Sequence, residues 1–255
     1  MNASMKIPCL ILGLWLTLAS TAVHASAPSF DRPGIAFATS TLPIGSFDLE
    51  QGLPDVVHNE TAGVATTLYS ADTIVRYGIT PTLELQFGGS LWNRLDVRGN
   101  NIDSRNTGGG DTTIAAKWAP MLKSGNVAIA LLGAVMLDTG ASAFTNGRPV
   151  YSLGATVSRE LQDGRAIAVY LNASSNGGIT TWTFSPNISF PITSNIGAYV
   201  EAGRTVGGDA AGTAAGGGLT WLLHDRVQFD VYGLRGLKGH APDLQAGVGV
   251  SVFWK

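Results

Sequence analysis

The amino-acid sequence predicts an all-β fold, a transmembrane antiparallel β-barrel of about 12 strands within a range of 10–14. Three observations predict it. Apolar and polar residues alternate with a period of two in segment after segment, which is typical of strands with two different faces. Charged residues make up 13% of the 255-residue chain, about half of the roughly 25% in an ordinary soluble domain. The connections between segments are alternately short and long, as in outer-membrane barrels.

The first 25 residues are predicted to form a cleaved signal peptide. Lys6 supplies the positive start, residues 7–18 form the apolar stretch, and Val23-His24-Ala25 offers a small-residue cleavage site. Cys9, the single cysteine, would leave with this peptide, so the exported chain would have no disulfide or thiol chemistry. Residues 26–43 are then predicted to be an N-terminal segment, periplasmic or lumenal, ahead of a barrel over residues 44–255.

The alternation places the strands in order along the barrel region. Leu83, Leu85 and Phe87 alternate with Glu84 and Gln86, and the last strand has valine at positions 248, 250 and 252. Because no free strand edge is satisfied in hydrocarbon, spanning strands must close into a cylinder. The predicted strands cover residues 45–53, 65–79, 83–95, 112–120, 126–137, 150–161, 165–174, 180–190, 196–205, 214–222, 227–235 and 246–254.

The connections are predicted to divide between the two ends of the barrel. An even number of strands places both termini at the short-turn end, which is periplasmic in outer-membrane barrels. The short turns are residues 80–82, 121–125, 162–164, 191–195 and 223–226. The external loops are mostly longer and rich in Gly, Asn and Asp: residues 54–64, 96–111, 138–149, 175–179, 206–213 and 236–245. A soluble sandwich would also alternate, but its exposed face would carry more Lys and Glu.

Seven aromatic residues are predicted to form two girdles at the interfaces between hydrocarbon and water. Those near the periplasmic strand ends are Tyr77, Trp118, Trp221 and Trp254, and those near the opposite ends are Tyr69, Trp92 and Trp182. The alternative for each ring is an ordinary core position.

Eight charged residues alternate against apolar neighbours and are predicted to line the lumen: Asp48, Glu50, Asp72, Arg76, Glu84, Lys117, Glu201 and Asp230. Facing lipid would cost about 2–4 kcal/mol for an Arg or Lys at the midplane. Two interpretations stay open. The residues form a polar, mildly cation-favouring channel, or Arg76 and Lys117 join Glu84 in an ion network that plugs and braces a narrow barrel.

The sequence gives little support to other functional classes. A barrel hydrolase needs a histidine placed against a Ser or Asp, and His58, His224 and His240 stand near no recognisable nucleophile. The chain is therefore predicted not to be an enzyme, and no metal or cofactor is predicted. Residues 108–111 read Gly-Gly-Gly-Asp but lack the Lys-Ser or Lys-Thr of a phosphate loop, and are predicted to be a loop-to-strand turn. A net charge of −2 gives no reason to expect nucleic acid.

Several short stretches, taken in order, resemble the bacterial outer-membrane transporters grouped with the phenol meta-degradation pathway protein. They are Arg32-Pro33-Gly34, Leu42-Pro43-Ile44-Gly45 and Arg76-Tyr77-Gly78-Ile79-Thr80, followed by Gly110-Asp111-Thr112-Thr113 leading into Lys117-Trp118. The resemblance runs from about Phe30 to the C-terminus. Two departures are Asp138-Thr139-Gly140, where the family often has Pro before Thr-Gly, and Lys255 after the aromatic Trp254.

The resemblance implies a transporter or narrow channel in a Gram-negative outer membrane, for passive uptake or efflux of small organic solutes that include aromatic ones. Its implied partners are outer-membrane lipid, the solutes and the barrel assembly machinery. A non-conducting structural or adhesive barrel is the main alternative, and a barrel hydrolase is the least favoured.

Overall fold

The computed structural model describes residues 29–122 and 125–255, and the predicted signal peptide lies outside the described residues. No helix in these two ranges is long and apolar enough to cross a bilayer. The strands are β1 (Phe47–Thr61), β2 (Val64–Thr80), β3 (Leu83–Gly99), β4 (Ile102–Gly108), β5 (Thr112–Trp118), β6 (Val127–Leu137), β7 (Val150–Glu160), β8 (Ala166–Ser175), β9 (Thr180–Pro191), β10 (Ile196–Val206), β11 (Gly212–His224), β12 (Val227–Gly239) and β13 (Leu244–Trp254).

The strands form one closed antiparallel barrel. β1 pairs with β13, and β2 pairs with both β1 and β3, so the sheet has no seam. β5 pairs with residues 83–89 of β3, while β4 pairs with residues 93–99 of the same strand. β4 and β5 are therefore two halves of one barrel strand, interrupted after Gly108. The thirteen segments make a 12-stranded barrel, which confirms the predicted fold class and strand number.

The two faces of the barrel wall have opposite chemistry. Along β3, Leu85 and Phe87 are 47% and 58% exposed on the outside, while Glu84 is fully buried on the inside. The same arrangement of exposed Leu, Val, Ile and aromatic side chains runs around the barrel. Exposed apolar side chains around a charged interior reverse the pattern of a soluble protein and match a wall that faces lipid.

Aromatic rings cluster at the end of the barrel where β1 begins and β13 ends, here termed the inner end. The Phe47 ring stacks on Trp254 with 5.1 Å between centroids, and Phe47 lies opposite Tyr77 in the neighbouring strand. Near the opposite, outer end, Tyr69 is half-buried and the Arg94 guanidinium lies 5.7 Å from its ring centre. The other predicted girdle residues are exposed: Tyr77, Trp92, Trp118, Trp182, Trp221 and Trp254. Their place in the membrane interfaces stays a prediction.

Two of the predicted external loops are wrong. Residues 54–61 continue β1 to a tight turn at Ala62 and Gly63, and residues 96–108 belong to a β3–β4 hairpin that turns at Asn100 and Asn101. The outer parts of these hairpins carry polar residues on both faces. Residues 58–61, for example, read His-Asn-Glu-Thr. Backbone pairing persists there without apolar alternation, which is why the pattern missed it.

Candidate functional site in the barrel lumen

Residues 29–46, here termed the N-terminal segment, cross the interior of the barrel. The backbone N–H of Leu42 donates to Glu84 Oε2 on β3 at 2.8 Å, and that of Ile35 donates to Glu201 Oε2 on β10 at 3.0 Å. Gln228 Nε2 on β12 donates to the Arg32 carbonyl at 3.1 Å. Because these contacts reach three different parts of the wall, the segment lies across the lumen.

Apolar contacts hold the same segment. Phe30 and Leu42 pack with Phe253 and Leu222 toward the inner end of the barrel. Phe37 meets the Tyr170 ring edge-to-face, with 5.6 Å between centroids. Burial of two phenylalanines and a leucine stabilises the segment by about 1.5–3 kcal/mol for each side chain.

A central ion cluster of six residues lies where the N-terminal segment meets β1, β2, β3 and β5. Its members are Asp31, Asp48, Glu50, Arg76, Glu84 and Lys117. Arg76 Nε lies 2.8 Å from Glu84 Oε1, and its Nη1 lies 2.9 Å from Glu50 Oε1 and 3.2 Å from Asp48 Oδ2. Lys117 Nζ lies 2.7 Å from Asp31 Oδ1 and 3.2 Å from Glu84 Oε1. Arg76, Lys117 and the three strand carboxylates are fully buried.

Strand register explains how this cluster forms. Asp48 lies directly opposite Arg76, and Glu84 lies directly opposite Lys117. Cβ atoms of such cross-strand pairs are about 5 Å apart, so opposite charges at these positions meet. Two pairs on adjacent strands at a similar height produce one connected network.

The N-terminal segment contributes Asp31 to the network. Its carboxylate accepts hydrogen bonds from Lys117 Nζ, from Gln86 Nε2 at 2.8 Å and from the Ala38 N–H at 2.8 Å. The Asp31 carboxylate thus lies between two bases, 3.5 Å from Arg76 Nε and 2.7 Å from Lys117 Nζ.

A second ion cluster fastens the segment to β1 and β12. The Arg32 guanidinium makes a two-pronged contact with Asp55, at 2.8 and 3.0 Å, and its Nη2 lies 3.3 Å from Asp230 Oδ1. Gly249, opposite Asp230 on β13, makes room for this arrangement. A Cβ at Gly249 would lie 2.6 Å from Arg32 Nε and 2.7 Å from Asp230 Oδ2. A larger residue at this position would therefore displace the side chains of the ion cluster.

The eight predicted lumen residues divide among these sites. Asp48, Glu50, Arg76, Glu84 and Lys117 lie in the central ion cluster, and Asp230 lies in the second one. Glu201 accepts a hydrogen bond from the segment, while Asp72 lies apart and is exposed. Sequence reasoning missed Asp31 and Arg32 because the segment has no strand period, and it missed Asp55 because residues 54–64 were predicted to be a loop.

Two cavities flank the N-terminal segment along the barrel axis. The inner cavity, about 550 Å³, is lined by the segment, Thr156, Tyr199, Glu201 and the turn around Ser194. Thr156 Oγ1, Tyr199 Oη and Glu201 Oε1 are buried and find no partner among the described residues. The outer cavity, about 640 Å³, is lined by residues that include Asp72, Gln86, Leu132, Met136 and Phe144. The lumen therefore has space toward both ends, with the segment and the ion clusters between.

The connection between β6 and β7, residues 138–149, is anchored to the break between β4 and β5. Asp111 accepts hydrogen bonds from the Gly140 N–H at 2.9 Å, the Asn146 N–H at 2.8 Å and Asn146 Nδ2 at 3.0 Å. Gly108 permits the contact, because a Cβ there would lie 2.6 Å from the Ala141 Cβ. The Gly-Gly-Gly-Asp stretch thus interrupts one barrel strand and docks a loop, so the loop-to-strand turn of the sequence analysis has this added role.

Asp111 lies in the connection itself, just before β5. Burial raises the pKa of its carboxyl, but hydrogen bonds from the Asn146 and Gly140 backbone and from the Thr145 and Asn146 side chains lower it further than burial raises it. The net effect is a pKa below the ordinary value of 3.8. The carboxylate form therefore stabilises the docked loop.

Comparison with known proteins gives a family and a fold. A family model described as "Putative MetA-pathway of phenol degradation" matches residues 30–253. An outer membrane channel from Pseudomonas putida F1 is similar in structure, with a TM-score of 0.70, 17% identity, and coverage of 88% of this chain and 99% of that chain. Comparison with curated proteins gives no match.

Two further solved barrels are more distant. The KdgM porin has a TM-score of 0.53 and 11% identity, over 82% of this chain and 99% of its own. The transport unit of the autotransporter AIDA-I from Escherichia coli has a TM-score of 0.52 and 10% identity, over 83% of this chain and 90% of its own. At these identities the likeness shows the shared barrel fold.

Proposed function

The chain belongs to the family described as "Putative MetA-pathway of phenol degradation", and from that premise we propose that it is a narrow channel for passive movement of small organic solutes. It lies in the outer membrane, because its exposed apolar belt requires a bilayer and a closed barrel is the form in which strands cross one. The observation that carries the proposal is the lumen, which has a cavity toward each end.

The contents of the lumen limit the size of its solutes. The N-terminal segment and the two ion clusters occupy the middle of a barrel whose strand number lies between the filled 8-stranded and the open 16–18-stranded types. A solute must pass beside them or displace the segment. Small molecules, aromatic ones among them, fit this restriction better than oligomers.

The charges in the lumen favour cations. Carboxylates outnumber bases among the inward groups that contact the segment or one another, and these groups are Asp31, Asp48, Glu50, Asp55, Glu84, Glu201 and Asp230 against Arg32, Arg76 and Lys117. We propose that this excess sets the ion preference of the channel. Arg76 and Lys117 have structural roles within it, since each is already surrounded by carboxylates.

A non-conducting barrel is the second candidate, and the buried ion pairs favour it. Arg76 and Lys117 are fully buried, and each bridges strand carboxylates to the Asp31 of the segment. If the segment never moves, the same contacts form a permanent plug. An adhesive role draws less support, because two of the connections at the outer end are tight turns of two residues.

The proposal contains no catalytic step. His58 Nδ1 lies 2.9 Å from Thr67 Oγ1 on the neighbouring strand, and His240 Nδ1 lies 3.0 Å from the Asp209 carbonyl. The first contact lies within the β1–β2 hairpin, and the second joins two connections at the outer end. His224 ends β11 at the inner end, far from both along the barrel.

Swelling of proteoliposomes tests solute passage directly. The refolded exported chain is reconstituted, and the liposomes are diluted into isosmotic L-phenylalanine or isosmotic raffinose. We expect swelling in L-phenylalanine, which is small and crosses lipid poorly, and none in the larger raffinose. Liposomes that hold the heat-denatured protein serve as the control. Equal and negligible swelling in both solutes, with the barrel folded and inserted, would support the non-conducting alternative.

A further inference from the structure

The strand β6 is apolar on both faces. Leu131 and Val135 point outward to the lipid-facing side, as the barrel requires. Leu132, Ala134 and Met136 occupy the alternate positions and line the outer cavity. Inward positions of a water-filled barrel are ordinarily polar. An inward apolar stripe that faces a cavity is therefore unexplained by the membrane alone and suits contact with an apolar solute.

Other elements complete an apolar wall around the same space. Leu68 and Ile74 from β2, Leu95 from β3 and Phe144 from the anchored loop all line the outer cavity. Its volume of about 640 Å³ lies within the roughly 300–1,000 Å³ of pockets that bind small molecules. Asp111 fixes the loop that carries Phe144, so this side of the wall is held in place.

One carboxylate in this cavity has no cationic partner among the described residues. Asp72 is exposed to the cavity and its carboxylate contacts Ser70 Oγ at 3.3 Å. No Lys or Arg is among the residues that line the cavity. Arg32, a nearby base, is already held by Asp55 and Asp230. The second acid of the lining, Asp111, uses its oxygens on the docked loop.

We propose that the outer cavity is a binding site for small organic cations that combine an ammonium group with an aromatic or alkyl body. The ammonium pairs with Asp72, and the body packs on Leu132, Met136 and the Phe144 ring. An aromatic ring also attracts a cation that approaches its face. An organic acid of the same shape would meet two carboxylates and no base. The inference rests on the proposed function, because it gives the outer mouth of the channel a preferred class of solute.

The test is equilibrium binding to the refolded protein in lipid nanodiscs, with empty nanodiscs subtracted. The probes are 2-phenylethylammonium, the neutral 2-phenylethanol and the anionic phenylacetate, which share one aromatic body. We expect the ammonium to bind about tenfold more tightly than either of the others, as one partly screened ion pair provides. D72N should remove that advantage and leave the affinity for 2-phenylethanol unchanged.

Two variants control for other effects. D103N removes a carboxylate from an exposed position on the outer hairpin, 3.8 Å from Arg98, and should change none of the affinities. F144A should weaken the ammonium and the alcohol alike, because it removes part of the apolar wall. Equal affinities for the three probes, or an unaltered preference for the ammonium in D72N, would overturn the proposal.

The proposed binding site and the proposed channel function can be refuted independently. Selective binding that depends on Asp72, in a barrel that passes no solute, would leave the site standing and refute the proposed function. Passage of solute without selective binding would refute the site and leave the channel standing.

Discussion

At the residue scale, charges on the predicted strands were correctly directed inward, and those outside the predicted strands were missed. Arg76 and Glu84 alternate with apolar neighbours, so the pattern directs them inward. Asp31 and Arg32 precede the first strand, where no period exists to assign a direction. Their role depends on the path of the segment through the lumen, which is a property of the folded barrel.

Replacement of Asp31 tests the link between the segment and the wall. In D31N, Lys117 keeps Glu84 as an ionic partner but loses the acceptor at 2.7 Å. A hydrogen bond to a charged group contributes about 1.5–3 kcal/mol, so we expect easier displacement of the segment and a lower unfolding midpoint in urea. Channel conductance should rise in the same variant. D103N, which replaces an exposed carboxylate, should resemble the parent protein.

The variant G249A tests the contribution of the second ion cluster to stability. G249A places a methyl group 2.6 Å from Arg32 Nε and 2.7 Å from Asp230 Oδ2, so the ion pair must shift. Overpacking of this kind costs about 1–3 kcal/mol. G233A is the matched control, since the nearest neighbour of its Cβ is the Gln245 carbonyl at an ordinary 3.9 Å. Equal urea midpoints for the two variants would show that Gly249 is not needed for the cluster.

At the scale of elements, the sequence located strands well where lipid contacts one face. It failed at the outer parts of the hairpins β1–β2 and β3–β4, because polar residues occupy both faces there. It also treated residues 96–111 as one loop, although β4 and β5 are two halves of one strand. The interruption at Gly109 and Gly110 accommodates the docked loop, whose Ala141 N–H donates to the Gly109 carbonyl at 2.9 Å.

The loop over residues 138–149 is expected to undock in acid. The folded-state pKa of Asp111 is lowered, so its contribution is complete above the ordinary value of 3.8 and is lost as the pH falls through the lower folded-state pKa. Hydrogen exchange of this loop, corrected for the intrinsic rate, should be constant from neutral pH to about pH 4 and accelerate below it.

A variant at the same position removes the need for acid. D111N should accelerate exchange of the loop at neutral pH by at least about tenfold, the effect of losing hydrogen bonds to a charged acceptor. D138N, which replaces an exposed carboxylate of the same loop, should leave hydrogen exchange unchanged. Protection that survives in D111N would mean that apolar contacts such as that of Phe144, and not Asp111, hold the loop.

At the scale of the whole molecule, composition and alternation were sufficient for the barrel. Low charge and period two both follow from a wall that faces lipid on one side, and they depend on no single residue. The interior could not be predicted in the same way, because the contents of the lumen depend on the path of 18 residues, 29–46, inside the barrel wall. The two interpretations of the inward charges could therefore be stated from the sequence, but their arrangement required the structure.

The most direct test of the central claim, that this barrel conducts, is single-channel recording in a planar bilayer under a KCl gradient. We predict discrete openings of the refolded exported chain, a reversal potential on the cation-selective side, and larger steps in D31N, which weakens the hold on the segment. Silence of both proteins, while electrophoretic heat-modifiability proves that each barrel is folded and inserted, would contradict the channel and leave a plugged structural barrel.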